Sequence, residues 1–320
     1  MTSGNGGALD PADIEAAARR LAPHVRTTPT IHVAGSEIGV DAELVLKLEF
    51  LQHSGSFKAR GATNALLTRQ VAPDGVVAAS GGNHGAAVAW AAQRFGHVAN
   101  IFVPTVAAPA KVERLTGYGA RVHRVGDVYA DALAAADAFC EAHDVTTVHA
   151  YDDPVVMAGA GTCARELESQ AGGLDALLLA CGGGGLSGGA ASWLGDRVEV
   201  VASATPGTSP YAAALRHGGP VDVTISGGAS DALGATRLGS WPWQALASAG
   251  ATSVVVPDEA VLAARQLLWD WLRVVVEPAA AAPIAALTEG AWMPGGRRIG
   301  VVLCGANTDA VSPPPPARPG

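Results

Sequence analysis

Residues 54–61 read SGSFKARG and place a lysine, Lys58, in the turn after a strand predicted to end near Glu49. A single lysine is more often a solvated cation at the surface. The neighbours of Lys58 are small hydroxyl and glycine residues, and Phe57 adds an aromatic ring beside the amine. An amine in such a weakly polar turn loses its proton more readily and becomes a nucleophile or a base. The run therefore predicts a reactive amine at Lys58.

A second run, from Ser80 through Gly81, Gly82 and Asn83 to His84, lies between a predicted strand and a helix predicted over 85–94. Glycines at such a turn leave backbone N–H groups free at the positive end of the helix, where they suit a carboxylate. The same residues would also serve as a simple helix cap. On these residues alone the two interpretations carry equal weight.

The strongest single motif is a row of four glycines between an apolar strand and a helix. The glycines are Gly182, Gly183, Gly184 and Gly185, followed by Leu186. Four glycines cost backbone entropy and bring no packing, and a phosphate bound by N–H groups at a helix start is the usual reason for them. The motif lacks the Gly-Lys-Ser/Thr ending of a nucleotide P-loop and the spaced glycines of a dinucleotide site. It predicts a phosphate that belongs to another kind of ligand.

A fourth turn, Cys304-Gly305-Ala306-Asn307, ends another apolar strand. The simplest interpretation of Cys304 alone is a buried thiol. The other cysteines, Cys140, Cys163 and Cys181, are far apart and form no C-x-x-C pair of a zinc or redox site. We expect all four to be free thiols.

The elements that position these turns alternate along the chain. Short β-branched runs are followed by turns and by Ala-rich stretches with helical spacing, such as those over 155–170 and 258–272. This alternation predicts an α/β fold of parallel sheets covered by helices on both faces, with ligands at the carboxyl ends of the strands. The Gly-rich residues 1–9 and the Pro-rich residues 312–320 are expected to be disordered tails.

The composition restricts the class of partner. The 320 residues are 49% apolar and 16% charged, and the net charge is −8. The sequence has no basic cluster for nucleic acid or an anionic membrane, no apolar run long enough to span a bilayer, and no basic-then-apolar leader at its start. We expect a globular, cytoplasmic protein that acts on a small molecule.

Taken in order, the four motifs resemble those of the fold-type II pyridoxal phosphate enzymes, in particular the serine/threonine dehydratase and serine racemase group. The resemblance extends from about Ile14 to Asp309. It implies that pyridoxal 5′-phosphate is the cofactor and that Lys58 forms the Schiff base with it. The other implied contacts are Phe57 beside this lysine, Asn83 at the phenolic oxygen, Gly182 to Leu186 at the phosphate, Cys304 at the pyridine nitrogen, and Ser80, Gly81 and His84 at the substrate carboxylate.

Glu277 has two interpretations of equal weight. The run Val276-Glu277-Pro278 resembles a family segment that lies near the cofactor. A carboxylate directly before a predicted helix would equally serve to cap that helix. The residue is therefore a candidate only.

The same resemblance implies two α/β domains with parallel sheets, the smaller inserted into the larger, and the cofactor in the cleft between them. On this basis we predict a large domain from residues 10–50 and 148–311 and a small domain from residues 51–147. Homodimers are common in the family, and we expect one here.

The resemblance also implies a reaction, in which a serine- or threonine-like β-hydroxy amino acid becomes a 2-oxo acid and ammonia through an aminoacrylate. Two alternatives stay open, β-replacement and racemisation. Racemases of the group carry a second serine in the carboxylate loop, and Gly81 occupies that position here, so racemisation should be minor. The segment over 202–208, ASATPGT, corresponds to the family's divalent-cation site and holds no carboxylate, so no metal is expected there.

Overall fold

The computed structural model describes residues 9–308. Of the tails predicted at 1–9 and 312–320, only Leu9 falls inside this range, and the rest lie outside the described residues. The Leu9 side chain is 8% exposed and packs in the larger core, so the prediction is wrong at this residue. Burial of an apolar side chain stabilises the fold, which accounts for the difference.

Strands and helices alternate along most of the chain. In chain order the strands are β1 (Thr30–Ala34), β2 (Glu43–Lys47), β3 (Val76–Ala79), β4 (Ala99–Val103), β5 (Arg121–Arg124), β6 (Thr146–Thr147), β7 (Ala176–Ala180), β8 (Glu199–Ala204), β9 (Thr252–Val255) and β10 (Arg298–Val302). The helices are α1 (Pro11–Leu21), α2 (Lys58–Thr68), α3 (Asn83–Arg94), α4 (Pro109–Gly117), α5 (Tyr129–Ala142), α6 (Pro154–Ala171), α7 (Gly185–Leu194), α8 (Pro210–His217), α9 (Ser240–Ser248), α10 (Asp258–Leu272) and α11 (Pro278–Thr288).

The strands form two sheets. The larger sheet has the order β1-β2-β10-β7-β8-β9, in which β1 is antiparallel to β2 and the other pairs are parallel. The smaller sheet has the order β5-β4-β3-β6, with all pairs parallel. The predicted α/β class with parallel sheets is confirmed.

Each sheet packs against its own apolar core. In the larger core, residues 279–287 of α11 are buried along the whole helix, as expected of a helix that is apolar on every side. The core of the smaller sheet includes Ile101 of β4 and Ala62 of α2. The predicted boundaries at 51 and 147 enclose β3 to β6, and as an assignment of domains they stay a prediction. Within residues 9–308 no helix is both long and apolar enough to cross a bilayer.

The carboxyl ends of the strands gather the loops that the sequence singled out. Because β2, β10 and β7 are parallel neighbours, they end at one edge of the larger sheet. There β10 leads into Cys304 and β7 leads into Gly182, while β3 of the smaller sheet leads into Ser80. Four helices begin next to these turns: α2 at Lys58, α3 at Asn83, α7 at Gly185 and α11 at Pro278.

Candidate active site

A cavity lies at the ends of these strands. Residues that follow strands of both sheets line it. Its walls contain most of the predicted site residues: Phe57, Lys58, Asn83, Gly182, Gly183, Gly184, Gly185, Leu186, Glu277 and Cys304. Ser80, Gly81 and His84 are not among the lining residues.

Lys58 is held at the start of α2 by a backbone contact to the end of β10. The Phe57 N–H donates to Cys304 O over 3.0 Å. The Lys58 ammonium donates to Ala150 O over 2.6 Å and lies 5.1 Å from the centre of the Phe57 ring. The amine therefore points into the cavity with one backbone acceptor and an aromatic neighbour.

The amine of Lys58 is easier to deprotonate than that of a surface lysine. Burial in the cleft lowers its pKa from 10.5 to about 8, although electrostatic interactions with Cys304 and Glu277 oppose part of this shift. Near neutral pH a larger fraction is therefore the neutral amine, the form that attacks a carbonyl or takes a proton. The surroundings of Lys58 suit the reactive amine that the sequence predicts.

A buried ion network supports α2 beneath Lys58. The Arg60 guanidinium donates to both Glu49 oxygens over 2.7 and 2.9 Å and to both Glu166 oxygens over 3.1 Å. Lys47 Nζ donates to Glu166 Oε1 over 2.5 Å. Two cations and two carboxylates thus balance, and removing one partner from such a buried pair costs about 3–5 kcal/mol. The network joins the start of α2 to β2 and α6.

The four glycines form a turn that larger residues cannot adopt. Gly184 has φ +92°, and a Cβ on it would lie 2.6 Å from Pro242 Cβ. A Cβ on Gly183 would lie 2.5 Å from the Tyr151 ring. Both approaches are too short for a real side chain, so this turn requires bare backbone.

This turn also presents unused hydrogen-bond donors. For the N–H groups of residues 182–187 no acceptor is found among residues 9–308. They stand at the start of α7, where the helix dipole adds partial positive charge. Such a set of donors suits an anion, and a phosphate in particular.

Three side chains form a hydrogen-bonded chain along another wall. Asn307 Nδ2 donates to Asn83 Oδ1 over 2.6 Å and to Ser54 O over 2.8 Å. Asn83 Nδ2 in turn donates to both Glu277 oxygens over 2.8 and 2.9 Å. The chain fixes the amide of Asn83, with its oxygen toward Asn307. Asn307 was missed by the sequence analysis, although it lies in the same turn as Cys304.

Glu277 occupies the N-cap position of α11, but its side chain lines the cavity and does not cap the helix. Its side chain makes no capping bond to α11. Instead its carboxylate accepts from Asn83, and Gly305 lies so close that a Cβ there would be 2.3 Å from Glu277 Oε1. Burial raises the pKa of Glu277 to about 7, while the hydrogen bond from Asn83 opposes the shift. The capping interpretation is wrong, because the side chain turns toward the cavity.

Cys304 presents a neutral thiol to the cavity. The residue is 3% exposed and lies two residues after the end of β10 at Val302. Burial raises the pKa of the thiol well above its ordinary range, and the charge of Glu277 raises it further. All four cysteines are free, as predicted.

His84 is bound to the backbone. Its Nε2 lies 2.8 Å from Val148 O, and the residue is 7% exposed. Burial lowers the pKa of His84 to about 3, and the charge of Lys58 lowers it further. The imidazole is therefore neutral at physiological pH, and it fixes the start of α3 rather than lining the cavity.

The turn from Ser80 to His84 offers backbone donors. Ser80 Oγ accepts from the Gly82 N–H over 3.3 Å. The N–H groups of Gly81, Asn83 and His84 find no acceptor within residues 9–308. These donors suit a carboxylate, and the predicted role of Ser80, Gly81 and His84 in binding one stays a prediction.

Tyr151 is a cavity residue that the sequence analysis missed. Its ring packs on Gly183, and the Lys58 ammonium lies 6.0 Å from the ring centre. The contact joins residues that are far apart in the sequence, so no local pattern around Tyr151 signals it.

Comparisons with known proteins agree with this geometry. Residues 21–305 match the family described as "Pyridoxal-phosphate dependent enzyme". The chain is 31% identical over 305 residues to a β-hydroxyaspartate dehydratase of Paracoccus denitrificans (strain Pd 1222), covering 93% of this chain and 96% of that protein. It is 34% identical over 305 residues to a phenylserine dehydratase of Ralstonia pickettii, covering 92% and 91%. The structure of maize serine racemase superposes with a TM-score of 0.89 at 28% identity, covering 95% of each chain.

The chain belongs to the family of pyridoxal-phosphate-dependent enzymes, because the family match spans most of its length. The fold is that of the fold-type II members, and pyridoxal 5′-phosphate is the cofactor. With dehydratases similar to it over nearly the whole chain, the protein is a pyridoxal-phosphate-dependent lyase.

Proposed function

We propose that the enzyme is a dehydratase that converts a serine- or threonine-like β-hydroxy amino acid to a 2-oxo acid and ammonia. The substrate loses its Cα proton and its β-hydroxyl as water, and a second water then releases ammonia, so the net reaction loses only ammonia. The observation that carries this proposal is the Lys58 amine, which shares one cavity with a row of unused N–H donors at Gly182 to Leu186. Similarity to two dehydratases supports it.

The cavity residues fit the cofactor. We propose that Lys58 bonds its aldehyde carbon and that the N–H groups from Gly182 to Leu186 bind its phosphate. Asn83 Nδ2, now bonded to Glu277, would exchange one of these bonds for one to the phenolic oxygen, and Cys304 would face the ring nitrogen. The fit rests on the unused N–H donors and on the closeness of Gly183 and Gly184 to their neighbours. When bound, the cofactor withdraws electrons from the substrate Cα.

The chain's own groups bind and deprotonate the substrate. The free N–H groups of Gly81, Asn83 and His84 would hold the substrate carboxylate. This contact orients the Cα–H bond toward the Lys58 amine, which takes the proton from Cα. A pKa of about 8 suits this step, because the amine is neutral in a useful fraction of molecules and still basic.

The direct test incubates the holoenzyme with β-hydroxy amino acids of both configurations and measures 2-oxo acid and ammonia. We expect the two products in equal amounts from at least one of them. Adding a thiol distinguishes β-replacement, in which the thiol appears in the product and ammonia is not released. Products of β-replacement alone, or inversion alone, would contradict the proposal.

Racemisation is disfavoured because Gly81 has no side chain that could transfer a proton. Adding a serine side chain there should increase racemisation. A Cβ on Gly81 would lie 3.4 Å from Val103 Cγ1 and 4.0 Å from Lys111 Cδ, so serine fits without a severe clash. We predict that Gly81→Ser raises inversion of serine relative to elimination by roughly 10²-fold, the lower range of a positioned acid–base group. Chiral chromatography of the recovered serine measures it. Gly81→Ala adds the same Cβ without a hydroxyl and should gain nothing; equal gains in both variants would contradict the assignment.

The neutral thiol of Cys304 should favour elimination over transamination. An aspartate in its place would hold a proton on the ring nitrogen and increase electron withdrawal into the ring. We predict that Cys304→Asp slows 2-oxo acid release and raises the share of cofactor converted to pyridoxamine phosphate. Cys304→Ser, which stays neutral, should keep the native partition. Unchanged partition in Cys304→Asp would count against this role.

We propose that the enzyme is a cytoplasmic homodimer that binds no nucleic acid and no membrane. The four free thiols support a reducing compartment, and dimers are common in the family. Light scattering on the purified holoenzyme tests the dimer by its molar mass.

A further inference from the structure

An ion pair crosses the mouth of the cleft. Lys111 on α4 pairs with Asp231, which lies in the segment between α8 and α9. α4 packs beside the smaller sheet, whereas α8 and α9 belong with the larger one. The pair therefore joins the two sides of the cleft. The Lys111 side chain is 29% exposed and the Asp231 side chain is 63% exposed.

This pair lies against the turn proposed to bind the substrate carboxylate. Lys111 Cδ is 4.0 Å from the position that a Cβ on Gly81 would take. Asp231 O is 3.7 Å from the corresponding position on Gly82. A substrate whose carboxylate is held by this turn therefore lies close to the Lys111–Asp231 pair.

The charges on this side of the site balance each other. A smaller cavity beside the main one is lined by Lys111, Arg114, Asp231 and Glu277. Arg114 acts on Glu277 and lowers its pKa, whereas Asp231 raises it. Two cations thus stand with two carboxylates, and the Lys111 charge is compensated by its ion pair with Asp231.

The inner walls that are not assigned to the cofactor are apolar. They include Tyr151, Ala232 and Leu233. Apart from Lys58, which is assigned to the cofactor, the charged residue that lines the cavity is the carboxylate Glu277. A second carboxylate on the substrate would lose its hydration and meet no free cation, which disfavours its binding.

We propose that the enzyme selects β-hydroxy amino acids with a neutral, apolar β-substituent, and that Asp231 excludes those with a second carboxylate by keeping Lys111 paired. The inference rests on the proposed dehydratase function and names its substrate class. Similar proteins are named for substrates of each class. One is a phenylserine dehydratase, whose substrate has an apolar β-substituent, and another is a β-hydroxyaspartate dehydratase, whose substrate has a second carboxylate. Asp231 is a specificity-determining residue in this account.

The experiment compares kcat/KM for phenylserine and for 3-hydroxyaspartate in the holoenzyme and two variants. We expect the native enzyme to favour phenylserine. Asp231→Asn leaves the Lys111 charge unpaired and should shift the ratio toward hydroxyaspartate by about tenfold, as expected for one added charge contact near the surface. Asp231→Asn combined with Lys111→Met removes that charge and should abolish the shift.

Both substitutions lie at partly exposed positions, so the fold should survive, and melting curves verify this. The inference is overturned if the native enzyme prefers hydroxyaspartate, if Asp231→Asn leaves the ratio unchanged, or if the double variant keeps the shift. If neither compound, nor serine nor threonine, yields a 2-oxo acid, the proposed function itself fails. The two failures are therefore distinguishable.

Discussion

Replacing Lys58 with alanine is expected to lower 2-oxo acid release by roughly 10³-fold or more and to remove the yellow colour that borohydride bleaches. The amine is assigned two tasks, bonding the cofactor aldehyde and taking the Cα proton, and a positioned acid–base group alone contributes 10²–10⁴-fold. The fold should persist, because the ammonium has a backbone oxygen, Ala150 O, as its hydrogen-bond partner and forms no ion pair within residues 9–308. Product assay and absorbance before and after reduction measure both effects.

The matched control is another buried lysine. Lys47 Nζ bonds Thr28 O, Glu166 and Gln170 in the network beneath α2. Lys47→Met breaks a buried pair and should lower the melting temperature, yet the bleachable colour should remain. A Lys58→Ala enzyme that keeps its colour, or a Lys47→Met enzyme that folds but lacks it, contradicts the assignment.

Replacing Gly184 with alanine is expected to weaken cofactor binding by about 10²-fold, which corresponds to about 2.7 kcal/mol. Gly184 has φ +92°, which an L side chain rarely adopts, and the added Cβ would lie 2.6 Å from Pro242 and 2.8 Å from Leu238. The turn must move to relieve these contacts, and its N–H groups then no longer converge on a phosphate. Titration of the apoenzyme with pyridoxal 5′-phosphate gives the dissociation constant.

Gly117→Ala is the control for this prediction. Gly117 is the last residue of α4, and a Cβ there would meet no atom within 4 Å. Alanine at this position should leave the dissociation constant unchanged. Equal affinity in Gly184→Ala and the native enzyme would show that the turn does not hold the phosphate.

The sequence predicted the elements whose pattern is local. The helices predicted over 155–170 and 258–272 agree with α6 and α10 to within one residue at each end, because their helical spacing is visible in the sequence. The helix α2 was not predicted. Its polar residues Arg60 and Asn64 suggest an exposed segment, but both are buried. Their burial is possible because other elements supply partners, which are Glu49 and Glu166 for Arg60 and Arg20 and Val155 O for Asn64.

Two strands, β1 and β6, were also not predicted from the local sequence. The strand β1 is partly exposed and antiparallel, and its pairing with β2 is a contact between segments. The strand β6 has two residues, too few for a period to appear. Such strands form because they pair with a neighbouring strand, and their own residues do not signal it.

The site residues likewise divide into those visible in the local sequence and those that depend on contacts between distant segments. The glycine turn stood out because four glycines are costly without a ligand, and Lys58 stood out because its neighbours are small and weakly polar. Tyr151, Asn307 and the Lys111–Asp231 pair became visible only once the fold had joined distant segments. Glu277 had two interpretations in the sequence, and the direction of its side chain excluded the capping one.

One measurement tests the central claim most directly, since the chain contains three lysines, Lys47, Lys58 and Lys111. The holoenzyme is reduced with borohydride and digested with trypsin, and its peptides are mapped by mass spectrometry. We expect the phosphopyridoxyl label on the peptide spanning residues 48–60, at Lys58, and none on the peptides that contain Lys47 and Lys111. A label on either of those two lysines, or on no lysine, would contradict the account.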